Sequence, residues 1–226
     1  MQRRPGIGES TNVGARRPAG LHTVDRMLTA TDLTIGYGDT DPVIQGLDLT
    51  ADPGDIIAVT GANGSGKSTL LRGLAGHQPL DSGTILLDGA DLTANSRAHR
   101  RDVFAVLDGS AWMRELTLGD HLRILETDGS LMSADDAIHT LDLADLADRH
   151  PHTFSSGQRQ RSALATALVR PWSVLILDEP EQRLDVDYQQ RTADILRAIA
   201  PGAVIILATH SQQLIDRLGA AELHLS

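Results

Sequence analysis

The segment Gly61-Ala62-Asn63-Gly64-Ser65-Gly66-Lys67-Ser68-Thr69 constrains this chain more than any other. It lies between Asp55–Thr60, an apolar run that reads as a fully buried strand, and Leu70–Ala75, which reads as a helix stopped at Gly76. A strand, a glycine-rich turn and a helix, in that order, form the setting that a phosphate-binding loop requires. The glycines let the backbone wrap an anion closely, so that several N–H groups point at it. The helix N-terminus adds the positive end of its dipole. Lys67 brings a mobile charge to the outer phosphates, and Ser68 a hydroxyl suited to Mg²⁺. The chain holds 19 arginines and this one lysine, so a chemically idle turn would have captured the only lysine by accident. The segment points to a nucleoside triphosphate as ligand.

Around it, short apolar runs alternate with helical patterns. Thr29–Thr34 and Leu47–Thr50 alternate as half-buried strands, and Ser82–Asp88 reads as another. Val103–Leu107, Ser173–Leu177 and Ala203–Ala208 read as buried strands, with helical stretches at Arg159–Arg170 and Tyr188–Ile199. Residues 111–150 are mostly helical in pattern. The expected fold is α/β: a sheet of mainly parallel strands, an N-terminal antiparallel β subdomain, and an inserted α-helical subdomain at about 109–160. Residues 1–26, rich in Arg, Gly and Pro, read as a flexible tail or as sequence upstream of a start at Met27. No apolar run follows Arg3-Arg4, so a secretory leader is not expected.

Composition removes several function classes. The chain has no cysteine, which excludes disulfides, zinc–thiolate centres and thiol nucleophiles. Its net charge of −10 argues against broad nucleic-acid binding. No apolar run approaches the ~20 residues of a membrane-spanning helix.

Further along, the sequence resembles the ATP-binding cassette (ABC) family in several segments that follow one another in the family's order. Phe154-Ser155-Ser156-Gly157-Gln158 is similar to the family's signature segment, and Val174–Pro180, with Asp178 and Glu179, to its Walker B strand and adjoining glutamate. Leu184-Asp185 falls at the D-loop, His210 at the switch histidine, and Tyr37 at the aromatic that stacks on adenine. The resemblance covers residues 28 to 226, and 27–226 is accordingly read as one ABC ATPase domain.

It implies ATP and Mg²⁺ as cofactors. Gly61, Asn63, Gly64, Ser65, Gly66, Lys67, Ser68 and Thr69 would cradle the phosphates. Ser68, Asp178 and Asp108 would hold the metal, Lys67 would neutralise developing charge, Glu179 would orient or deprotonate the attacking water, and His210 would sense the γ-phosphate. Ser155, Gly157 and Gln158 would cover the nucleotide of a second cassette. The implied active form is therefore a head-to-tail homodimer or heterodimer that drives a separate transmembrane permease from the cytoplasmic face of the membrane. A soluble ABC ATPase acting on ribosomes or DNA is the alternative, and a non-hydrolysing nucleotide sensor a third reading.

Two single positions and one three-residue segment depart from the family pattern. Asp108 stands where the family has its Q-loop glutamine, which predicts altered coupling or rate rather than loss of ATP binding. Ser156 replaces a signature glycine, tolerable if the backbone there does not need positive φ. Glu181-Gln182-Arg183 replaces the usual small or polar lead into the D-loop, with no consequence assigned from sequence.

Overall fold

The computed structural model describes residues 26–38, 41–92, 96–107 and 112–226. Strands β1 (Leu28–Ile35), β2 (Ile44–Ala51), β4 (Ser82–Leu87) and β5 (Ala90–Asp91) form an antiparallel sheet in the order β2-β1-β4-β5. Strands β3 (Ile56–Gly61), β6 (Val103–Val106), β7 (Val174–Asp178), β8 (Val204–Ala208) and β9 (Ala221–Leu225) form a parallel sheet in the order β6-β7-β8-β3-β9. The central strands β3, β7 and β8 are apolar along nearly their whole length because both of their faces are covered.

Alternate residues of those strands serve different cores. Leu175, Leu177, Ile205 and Leu207 join one cluster with Leu118, Leu122 and Leu164 of the helical layer. Val174, Ile176, Val204 and Ile206 join another with Leu70, Leu71 and Leu74 and the antiparallel sheet. The helix α1 (Lys67–Leu74) is thus sandwiched between the two sheets, and each of its leucines is at most 1% exposed. Burial on that scale contributes about 2 kcal/mol per leucine, which anchors the helix that carries the phosphate loop.

The stretch expected to be mostly helical contains two short helices, α3 (Leu118–Leu125) and α4 (Ala134–Thr140), joined to the following 3₁₀ turns. Both are capped by side chains that stop them from extending backwards: Thr117 forms a capping box with Asp120, and Ser133 Oγ accepts from the Asp136 N–H. Helix α5 (Ser156–Leu168) starts at the signature-like segment, and α6 (Val186–Ile199) follows β7. Four elements were not anticipated: β5, α2 (Ser96–Asp102), α7 (Gln212–Leu218) and β9. Arg26, assigned to the tail from sequence, pairs with Asp102 at 2.9 Å; residues 1–25 lie outside the described residues.

Candidate nucleotide-binding site

The strand order assembles the site. Asp178 of β7 pairs in register with Ala208 of β8, and Ala208 in turn with Val59 of β3. The segments leaving these three strand ends therefore emerge side by side, at the carboxyl edge where open α/β sheets bind ligands. They enclose a cleft of about 330 Å³ lined by Asn63, Gly64, Gly66, Lys67, Ser68, Thr69, Asp178, Glu179 and His210, with Val43 of the antiparallel layer at its rim. Nine predicted residues, drawn from three separated stretches of sequence, meet in one place.

The phosphate loop is built from backbone. Gly66 stands at φ +98°, and a Cβ there would meet Val43 Cγ1 at 2.8 Å, so only glycine fits between the loop and the antiparallel layer. Lys67 is 8% exposed and donates to the carbonyls of Gly61 and Ala62, each at 3.0 Å. Among the described residues no carboxylate pairs with it within 4 Å. This leaves its charge available to an anion. Ser65 Oγ is buried without a hydrogen-bond partner. An orphaned hydroxyl and an unneutralised cation inside a ring of loop amides fit a bound phosphate chain.

Ser68 Oγ donates to Asp178 Oδ2 at 2.9 Å. A hydroxyl and a carboxylate converging beside a phosphate site suit Mg²⁺, which takes few protein ligands and fills its shell with water and phosphate oxygens. Asp108, the third expected metal ligand, lies outside the described residues.

On the other side of the cleft, Glu179 adopts φ +46°, a left-handed conformation uncommon for a residue with a side chain. Three contacts hold it there. Its N–H donates to the Ala208 carbonyl at 3.0 Å, and Gln160 Nε2 donates to the carbonyls of Glu179 and Pro180 at 3.2 and 3.3 Å. The conformation turns the carboxylate toward His210, whose Nε2 lies 3.6 Å from Glu179 Oε1. Gln182 Nε2 donates to the other carboxylate oxygen.

Tyr37 is half-exposed, with its hydroxyl 3.2 Å from Thr69 Oγ1. That hydrogen bond holds the phenol below its usual pKa, against a smaller opposing effect of burial. Tyr37 thus sits against the first turn of α1 and is not among the residues lining the cleft.

The signature-like segment is also outside the cleft. Ser155 caps α5: its Oγ accepts from the Gln158 N–H at 3.2 Å, and its own N–H donates to Gln158 Oε1 at 2.9 Å. A Cβ on Gly157 would meet the Arg183 carbonyl at 2.8 Å, so the approach of the D-loop lead to α5 depends on glycine. Ser156 has no positive φ, so serine meets the backbone condition there. It lines a second cleft, about 530 Å³, that separates Ser68, Asp178 and Glu179 from Trp112 and Arg159.

Sequence reasoning missed Val43, Gln160, Gln182 and the buried pair Glu181–Thr209. The only signal for the pair was the unusual lead into the D-loop.

A parallel sheet with a phosphate loop after one strand, and an acidic pair and a histidine after its neighbours, defines a P-loop nucleotide-binding domain. More narrowly, the chain belongs to the ABC transporter family, whose model matches residues 44–182. It is 35% identical over 199 residues to the cytochrome c biogenesis ATP-binding export protein CcmA of Gluconobacter oxydans, covering 88% of each chain. It is 33% identical over 195 residues to the spermidine/putrescine import ATP-binding protein PotA of Hahella chejuensis, covering 83% of this chain and 53% of that protein. The chain spans about half the length of several of the curated relatives it matches. Among solved structures, one described as an ATP-binding subunit of an ABC transporter superposes with a TM-score of 0.78 at 26% identity, covering 88% of this chain and 85% of that one.

Proposed function

We infer that this chain is the ATP-binding and ATP-hydrolysing subunit of an ABC transporter. The observation that carries the reading is the single cleft in which Lys67, Ser68, Asp178, Glu179 and His210 meet. Lys67 exchanges its two loop carbonyls for the outer phosphates of ATP, while the loop amides hold the rest of the chain of charge. Ser68 and Asp178 would hold Mg²⁺, which would supply positive charge to offset the phosphate oxygens. Glu179 accepts a hydrogen bond from the attacking water and takes its proton as the water oxygen bonds to the γ-phosphorus and the bond to the β–γ bridging oxygen breaks, so that ADP leaves with that electron pair. His210 keeps that carboxylate in place and contacts the γ-phosphate.

The signature-like N-terminus of α5 points to a second cassette. Its Ser155 and Gly157 are not among the residues that line their own chain's phosphate cleft, so a head-to-tail partner is what would bring such a helix end to a phosphate. ATP then favours the closed dimer because it contacts both protomers only in that state.

A separate membrane permease is supported by an apolar groove of about 240 Å³ lined by Phe104, Trp112, Met113, His121, Ile124 and Leu125. Met113 and Ile124 are 57% and 60% exposed there, large side chains that none of the described residues covers. No helix among the described residues is long and apolar enough to cross a membrane. The cassette would reach the cytoplasmic face of the membrane through that partner.

The test is an affinity purification of tagged Glu179→Gln protein from detergent-solubilised membranes with ATP present, alongside the same protein carrying Ile124→Asp. The expected result is a multi-spanning membrane protein that co-purifies with the first and is lost with the second. Recovery of ribosomal proteins, nucleic acid or the cassette alone would overturn the transporter assignment.

A further inference from the structure

The lead from Pro180 into α6 carries a carboxyl group that the mechanism above does not use. Glu181 is 8% exposed, a setting that costs a carboxylate several kcal/mol unless it is well paired. Pairing is only partial. Oε1 accepts the hydroxyl proton of Thr209, and Oε2 is buried with no hydrogen-bond partner. Burial pushes the carboxyl above the usual carboxylate range; the Thr209 hydroxyl pulls it back, the nearby Glu179 charge raises it further, and His210 lowers it.

The contact extends past Thr209. Its oxygen accepts the Ser211 N–H at 2.9 Å while its proton goes to Glu181. Ser211 Oγ in turn accepts the Leu214 N–H at 3.2 Å, starting α7. Thr209 and Ser211 are the two neighbours of His210, so this chain of hydrogen bonds grips the turn on both sides of the histidine. Glu181 is itself anchored: its carbonyl accepts from the Leu184 N–H at 3.3 Å and from Gln189 Nε2 at 3.4 Å. The root of the turn is therefore fixed to the segment that also carries Glu179.

We propose that Glu181 is a positioning residue for ATP hydrolysis, whose buried carboxyl oxygen grips Thr209 and so fixes the turn that sets His210 against Glu179. The inference rests on reading the site as hydrolytic and deepens that reading. It also gives the unusual Glu181 lead a role. An apolar side chain would fill the same space at lower cost in stability, but it would leave the Thr209 hydroxyl without an acceptor and the His210 turn without its anchor.

The test compares Glu181→Gln, Glu181→Leu and the double variant Glu181→Leu/Thr209→Val in the full chain. Steady-state ATP hydrolysis is measured together with amide hydrogen exchange at Ser211. Glu181→Leu and the double variant should lose about tenfold in kcat, with KM for ATP changed by no more than about twofold, since misplacing a catalytic group lowers the rate more than ground-state binding. Exchange at Ser211 should accelerate in both. The double variant leaves no unpaired hydroxyl and frees only the part-buried Ser211 N–H that Thr209 accepted, so its Tm should fall by no more than a few degrees, separating lost positioning from lost folding. Glu181→Gln keeps an acceptor oxygen and should restore both rate and protection. Wild-type kcat in Glu181→Leu, or equal loss in Glu181→Gln, would overturn the proposal. If the wild-type chain shows no ATP turnover at all, the hydrolytic reading fails, and unchanged Ser211 exchange in Glu181→Leu would sink the clamp separately.

Discussion

The two halves of the cleft are built differently. The phosphate side is a continuous run, Gly61–Thr69, in which backbone conformation does the work and Gly66 at φ +98° allows the close approach. The opposite side is assembled from two stretches about thirty positions apart, Glu179–Gln182 and Thr209–His210, that meet through the Thr209–Glu181 hydrogen bond and the close approach of His210 to Glu179. A backbone cradle binds its ligand with groups that every residue carries. A water-activating group depends on where individual side chains point, so it tolerates less change in chemistry and more in shape.

That contrast can be broken at either half. The largest effect expected is from Glu179→Gln, which keeps shape and removes the proton acceptor. Its kcat should fall by about 10²–10⁴, while ATP affinity, set by the opposite half, stays within about twofold in a nucleotide-binding titration. A parallel loss of affinity would show that the two halves are not separable.

Gly66→Ala tests the cradle. Positive φ alone costs on the order of 1–3 kcal/mol, and the new methyl would also sit 2.8 Å from Val43 Cγ1. Calorimetry should find a Tm lower by several degrees and weakened ATP binding, even though no polar group is lost. Normal binding would show that loop geometry is less decisive than the packing suggests.

The smallest effect is a pH dependence in the side-chain half. Glu181 has a raised pKa in the folded chain, so between the ordinary carboxylate value and the raised one the folded state holds a proton that the unfolded state has lost. Stability must fall as pH rises through that window, and the cost is fully present above it. Glu181→Gln does not titrate, so its Tm relative to wild type should climb as pH is raised from 4 to 8 in thermal melts. A constant difference would place the carboxyl in contact with water. The charges that act on Glu181 are Glu179 and His210, both retained in the variant.

Much of the fold was legible because burial on both faces leaves a plain mark: β3, β7 and β8 are apolar runs and were anticipated within a residue or so at each end. Strand β9 was not, since Ala221–Leu225 alternates around charged Glu222 and His224 at a sheet edge and buries only Leu225. Helix α2 was hidden for a related reason, its sequence Ser-Arg-Ala-His-Arg-Arg-Asp having no apolar stripe. The motif residues were legible wherever a short segment carries its own geometry, as in the phosphate loop and the Ser155–Gln158 cap. Trp112 carried no such mark, because its neighbours across the second cleft, Ser68, Asp178 and Glu179, come from other parts of the chain.

The sequence by itself determined the phosphate loop, the buried strands that flank it and the identity of the acidic pair, since each depends on residues adjacent in the chain. The tertiary structure decided that β8 lies between β3 and β7, which places His210 beside Glu179 and puts the Glu181 carboxyl under Thr209. Strand order is fixed by how layers pack and cross over, a long-range property that no local pattern of residues encodes.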